Sequence, residues 1–130
     1  MADSSATERP IRILLADDHM VMRNGLRLLL EAEEGFEVVA EAGDIQSLLQ
    51  QVRGHRHEVL VLDLNMPGGS SIQVISTLAR ISPGTAVVIL TMEHDPALRR
   101  EAYEAGASGY VLKEEAPREL VRAIRAAVER

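Results

Sequence analysis

Five polar residues stand where short apolar runs end. Asp17 and Asp18 follow the run 11–16, and Asp63 follows 59–62. Thr91 follows 85–90, and Lys113 follows 109–112. If these runs are neighbouring strands, the five residues share one edge of a sheet. Three carboxylates gathered there repel one another, and a hard divalent cation relieves that repulsion. Mg²⁺, or Mn²⁺, suits a few carboxylates plus waters. An ammonium and a hydroxyl facing the acids add donors. Such a set can hold a tetrahedral phosphoryl group on one carboxylate, with catalysis by positioning and charge neutralisation.

The elements that must position these residues are legible as an alternation. The runs 11–16, 36–40, 59–62, 85–90 and 109–112 are rich in β-branched residues, and several are apolar on both faces. That pattern belongs to buried strands of a parallel sheet. Between them lie stripes at helical spacing: Met22, Leu26, Leu29 and Leu30, then Ile45, Leu48, Leu49 and Val52. Val74, Ile75, Leu78 and Ile81 form a third stripe, closed by Pro83-Gly84. Asp44 and the Asp95-Pro96 pair supply helix starts, and Gly35 and Gly54 supply stops. A fourth, weakly apolar helix reaches about Ala105. A fifth starts at Pro117 and carries Leu120, Val121, Ile124 and Val128. The expected fold is α/β: a doubly wound, five-stranded parallel sheet with five helices, in the flavodoxin-like manner. In such sheets ligands sit outside the carboxyl ends of the strands, where the five polar residues fall.

Composition narrows the function. The chain has 130 residues, 46% of them apolar, which suits one domain with a sizeable core. Only Phe36, Tyr103 and Tyr110 are aromatic, so that core is aliphatic. A net charge of −6 argues against a broad basic face for nucleic acid. The absence of cysteine removes disulfides and thiolate metal sites. No apolar run is long enough to span a bilayer, and the start lacks a signal-peptide core. Residues 1–10 read as a disordered leader and 11–130 as the domain. A cytoplasmic setting is expected.

Specific motifs sharpen the picture. Ala16-Asp17-Asp18-His19, Leu62-Asp63-Leu64-Asn65-Met66-Pro67-Gly68, Ile89-Leu90-Thr91 and Gly106-Ala107-Ser108-Gly109-Tyr110-Val111-Leu112-Lys113 occur in that order. Together they resemble the receiver domain of two-component response regulators, in the NarL/FixJ branch, from about Ile11 onward. The resemblance implies that Asp63 is the phosphoacceptor. It implies that Asp18, Asp63 and the backbone carbonyl of Asn65 ligate the metal, with Asp17 acting through water. Lys113 would pair with the acceptor and then with phosphoryl oxygens. Thr91 would bond a phosphoryl oxygen and shift, and Tyr110 would turn inward after it. The implied partners are a sensor histidine kinase, a second copy of the chain after phosphorylation, and DNA only through an output domain outside this chain. No membrane partner is implied. Two positions depart from the usual pattern. Glu114 stands where many receivers carry proline, and Gly68-Gly69-Ser70-Ser71 is unusually rich in small residues.

Taken singly, most of these residues have simpler uses. The acidic pair could cap a helix, Lys113 could be a surface lysine, and Tyr110 could fill core. His55-Arg56-His57 reads as a solvated turn rather than a metal cluster, His94 as exposed, and Met20, Met22 and Met66 as packing residues. A phosphatase of the haloacid dehalogenase type also uses an aspartyl phosphate, but needs Asp-x-Asp after the first strand, and Asp17-Asp18-His19-Met20 does not fit. A flavin or nucleotide binder would need a glycine-rich loop there. A receiver that signals without phosphate would not need the intact acidic, threonine and lysine set.

Overall fold

A computed structural model describes residues 9–129. Most of the expected leader therefore lies outside the described residues; Arg9 and Pro10 are exposed and without regular structure. Five strands, β1 (Ile11–Ala16), β2 (Phe36–Ala42), β3 (Val59–Asp63), β4 (Ala86–Thr91) and β5 (Gly109–Leu112), alternate with five helices. The helices are α1 (Met20–Glu31), α2 (Ile45–Gly54), α3 (Ser71–Ile81), α4 (Pro96–Ala105) and α5 (Ala116–Val128). A 3₁₀ turn, Lys113–Glu115, leads directly into α5. All strand pairs are parallel, in the order β2-β1-β3-β4-β5. This is the expected doubly wound sheet.

The sheet has a core on each side, because alternate residues of a strand face opposite ways. Ile13, Leu15, Val59, Val61, Val88, Leu90 and Val111 pack with α1 and α5. Leu14, Leu60, Leu62, Val87 and Ile89 pack with α2 and α3, and with Ala102 of α4. β3 is central and every one of its residues is buried. Burying each large aliphatic side chain contributes roughly 1.5–3 kcal/mol, so this middle strand contributes heavily to the core.

Caps set the helix starts. Asp44 accepts from the Ser47 amide at 2.7 Å, and Ser70 from Gln73 at 3.3 Å. Asp95 accepts from Ala97 at 2.9 Å, with Pro96 opening α4. Gly68 and Gly69 take φ of 102° and 142°, conformations that side-chain-bearing residues rarely adopt. The glycine-rich loop is thus tied to a particular turn, and the Ile45 amide fastens it by donating to the Pro67 carbonyl at 3.0 Å. No peptide among the described residues is cis, the one after Lys113 included. Two packing expectations fail. Met20 and Met22 are exposed in the first turn of α1, at 66% and 37%, whereas Met66 is buried.

The energetic ranking can be checked in α2. Leu48 is fully buried, so Leu48→Ala should cost roughly 2–5 kcal/mol in urea denaturation. Asp44→Ala removes only a cap and should cost about 1 kcal/mol.

Candidate functional site

The alternation that sorts the core also sorts the polar residues. Continuing Ile13 and Leu15 by two reaches Asp17, continuing Val59 and Val61 reaches Asp63, and Val111 leads to Lys113. These three charges therefore prolong the α1/α5 face beyond the strand ends. Asp17 and Asp63 are fully buried and Lys113 nearly so. The Lys113 Nζ lies 3.1 Å from Asp17 Oδ2 and donates to Asp63 Oδ2 at 3.2 Å. The same ammonium thus serves as the counter-ion of both buried carboxylates.

The remaining carboxylate oxygens are held by backbone. The His19 amide donates to Asp17 Oδ1 at 2.8 Å, and the Asn65 amide to Asp63 Oδ1 at 3.0 Å. Burial pushes the Asp63 carboxyl up from its ordinary range. The Asn65 amide and the Lys113 charge restrain the rise, Asp17 adds to it, and the net direction is upward. Burial alone would pull Lys113 down, but attraction to Asp63 and Asp17 outweighs it and the net direction is up. Lys113 stays charged. Asp18 is more exposed, and donor atoms of Asp17, Asp18, His19 and Asp63 all lie within 4.8 Å of one another. Hard oxygen donors and a surplus of negative charge fit a divalent cation. The Asn65 side of the loop is open to solvent.

Thr91 is fully buried at the end of β4. By alternation it belongs to the opposite face, shared with Tyr110. Its Oγ1 accepts from the Glu93 amide at 3.0 Å, and the Tyr110 hydroxyl donates to the Glu93 carbonyl at 3.2 Å. Burial and the neighbouring Asp95 push the Tyr110 phenol up despite Arg99, so it remains a donor. The Arg99 guanidinium lies 5.6 Å from the ring centres of both Tyr103 and Tyr110. This arrangement uses two of the three aromatics.

Several supporting residues escaped the sequence reading. Arg23 donates from Nη1 to the Asp17 carbonyl at 2.6 Å, and from Nε to Glu41 at 2.9 Å. It fixes the acidic loop against β2. Ser71 donates to the Asp63 carbonyl at 3.1 Å, a buried contact that anchors the start of α3. An exposed-looking arginine four residues past a histidine carries no sequence signal for this role. His57 bridges the His55 carbonyl and Thr85 Oγ1, each at 2.7 Å, at the opposite pole of the sheet. His94 is exposed beside Glu114 at 3.2 Å. Among the described residues, none of these three histidines joins a potential metal cluster.

Comparison with known proteins gives a consistent answer. A family profile described as the response regulator receiver domain matches residues 13–125. The chain is 40% identical over 117 residues to the nitrate/nitrite response regulator protein NarP of Escherichia coli K12, covering 90% of this chain and 54% of NarP. The chain thus spans about half the length of the curated relatives it matches. The signal receiver domain of the response regulator NarL from Mycobacterium tuberculosis superposes with TM-score 0.88 at 29% identity, covering 94% of this chain and 98% of that one. RcsB from Salmonella enterica, bound to the promoter rprA with the phosphomimetic BeF₃⁻, gives TM-score 0.83 at 34% identity over 89% of this chain and 67% of that one. Among the described residues no helix is long and apolar enough to cross a membrane.

The raised Asp63 pKa has a measurable consequence. A group whose pKa rises on folding stabilises the fold below its unfolded value, here an ordinary 3.8, and loses that contribution as pH climbs through the folded value. At pH 7.5 without metal, Asp63→Asn should therefore raise the melting temperature, on the order of a few °C. The gain should shrink toward zero near pH 4. A lower melting temperature at pH 7.5 would make Asp63 a structural carboxylate.

Proposed function

This chain belongs to the response regulator receiver domain family, and on that premise we propose that Asp63 accepts a phosphoryl group from a phosphohistidine on a sensor histidine kinase. The observation that carries the reading is Lys113, nearly buried and held between Asp17 and Asp63 at the strand ends. Transfer breaks the N–P bond of the donor and forms an O–P bond to the Asp63 carboxylate. Water later breaks that O–P bond, releasing inorganic phosphate and restoring the carboxylate. The chain catalyses both steps on itself, as a signalling domain and not as an enzyme with an external substrate.

Lys113 starts as the counter-ion of Asp63 and then pairs with phosphoryl oxygens, so charge is compensated before and after transfer. Asp18, Asp63 and the Asn65 carbonyl would hold Mg²⁺ or Mn²⁺, with Asp17 reached through water. The bound cation would supply neutralisation of the phosphoryl oxygens. Thr91 gives its hydroxyl to a phosphoryl oxygen, and Tyr110 follows its shift, biasing the surface of α4, β5 and α5 between two states.

In this reading residues 1–10 are a leader and 11–130 the receiver of a cytoplasmic transcription regulator. DNA is contacted by an output domain outside these residues, as the promoter-bound RcsB complex supports by analogy. The net charge of −6 disfavours DNA contact by the receiver itself. Phosphorylation tightens a homodimer.

Two experiments test the proposal. Incubation with a small phosphodonor and Mg²⁺ should add one phosphoryl mass to the parent and none to Asp63→Asn or Asp63→Ala; chelation should stop it. Labelling of the Asn variant at the parental rate would refute the site. In the same assay Asp18→Ala should weaken Mg²⁺ binding roughly tenfold, and more than Asp17→Ala does. Secondly, sedimentation at matched concentration should show a larger mass with beryllofluoride than without. An unchanged distribution, with the mimic bound, would mean signalling without a change of oligomeric state.

A further inference from the structure

Arg23 stands where a helix gains nothing from a cation. It is the fourth residue of α1, near the end whose unpaired amides favour negative charge. Its side chain is only 17% exposed, and arginine is seldom covered so far without partners. Nε donates to Glu41 Oε1 of β2 at 2.9 Å, and Nη1 donates to the Asp17 carbonyl at 2.6 Å. Arg27 pairs with the other Glu41 oxygen at 3.2 Å. The Asp17 carbonyl belongs to the peptide that joins Asp17 to Asp18. That unit is planar, so fixing its oxygen fixes how both carboxylates leave the chain. The Asp17 amide is held as well, donating to the Ala42 carbonyl at 3.0 Å. The next residue, Gly43, supplies an independent sign. A Cβ there would stand 3.0 Å from Arg23 Nη1, closer than side chains normally approach. Gly43 lies outside the left-handed region, so its missing side chain serves space and not a turn.

We propose that Arg23 is a positioning residue for phosphoryl transfer. It holds the Asp17–Asp18 peptide against β2, so that both carboxylates are preset for the cation, and Gly43 leaves the space it needs. The inference rests on the reading of the pocket as a Mg²⁺-dependent phosphoacceptor site. Lysine could not take its place, because an ammonium lacks the planar fork that meets a carbonyl and a carboxylate together. Gly43→Ala crowds only the far end of a flexible side chain, so that variant should fold with Arg23 still present but displaced.

The test uses the whole chain, with Mg²⁺ and phosphoramidate as probes. In the metal-free protein, Arg23→Ala should speed hydrogen exchange of the His19 amide, which donates to Asp17 Oδ1. Arg23→Ala and Arg23→Lys should each raise the Mg²⁺ dissociation constant about tenfold in calorimetry, while the labelling rate at saturating Mg²⁺ stays within about twofold of the parent. Gly43→Ala should weaken Mg²⁺ binding in the same direction by less, and should add nothing to the loss in Arg23→Ala. Arg27→Gln removes an ion pair of Glu41 but leaves the bond to Asp17, so Mg²⁺ affinity should not change. Parental Mg²⁺ affinity in Arg23→Lys and Gly43→Ala would overturn the inference, whether or not Arg23→Ala folds. Losses that add in the double variant would mean that Gly43 acts apart from Arg23. An equal loss from Arg27→Gln would mean that the Glu41 ion pairs act through stability alone. Either result overturns the inference too. A parent that binds no Mg²⁺, or gains no phosphoryl mass, overturns the reading of the pocket and this inference with it. A parent that does both, beside an Arg23→Lys variant equal to it, sinks only the role of Arg23.

Discussion

One ammonium shared by two buried carboxylates constrains everything around it. Lys113 lies between Asp17 and Asp63 where water is excluded. Buried ion pairs seldom stabilise a fold, since desolvation consumes most of the attraction. Here the count does not even balance: Asp17, Asp18 and Asp63 face a single lysine, with an exposed histidine nearby. The surplus charge has to be held in place by the rest of the chain. The fully buried β3 and the aliphatic layers on both faces of the sheet offset that cost. A fold that carries uncompensated negative charge at its strand ends is ready to gain free energy from a cation. It can also gain from any chemistry that redistributes that charge.

The two-residue period of the strands explains how one edge supports two jobs. On the α1/α5 face the apolar series run out into Asp17, Asp63 and Lys113. On the other face, Val87 and Ile89 run out into Thr91, and Tyr110 stands beside them in register with Ile89. Charge handling and the hydroxyl pair thus sit on opposite sides of the same strand ends. A one-residue slip of β4 would send Thr91 to the wrong side, and the buried pattern forbids such a slip.

The fold was largely readable because strand and helix periods are strong and the strand ends fall where parallel sheets collect ligands. Boundaries moved slightly. β4 extends through Thr91, and the last helix is entered through a 3₁₀ turn at Lys113. Asp17, Asp18, Asp63 and Lys113 converge as their order at strand ends implied. The supporting contacts of Arg23, Glu41 and Ser71 were not legible. They depend on three-dimensional reach and on the main-chain carbonyls of Asp17 and Asp63, which leave no trace in residue type. Met20 and Met22 misled for the opposite reason. Met20 is out of phase with the buried Leu26 and Leu30, whereas Met22 shares their phase but lies in the first turn of α1 and stays 37% exposed.

Glu93 links the two hydroxyls. Its amide is taken by the Thr91 hydroxyl and its carbonyl by the Tyr110 hydroxyl, so this residue joins the end of β4 to β5. A hydroxyl drawn toward the acidic side must release that amide. The loop between β4 and α4 then loses the bond that fixes its conformation, and the carbonyl offered to Tyr110 moves with it. The Arg99 guanidinium of α4 lies 5.6 Å from the Tyr110 ring centre, so a turn of that ring would alter a contact with that helix. α4 is the least anchored of the five, with Ala102 as its only buried residue. Small free-energy differences therefore suffice to reposition it. The chain concentrates its rigidity at the centre, where charge must be held, and leaves its weakest packing where a charge-driven change at Thr91 would be felt first.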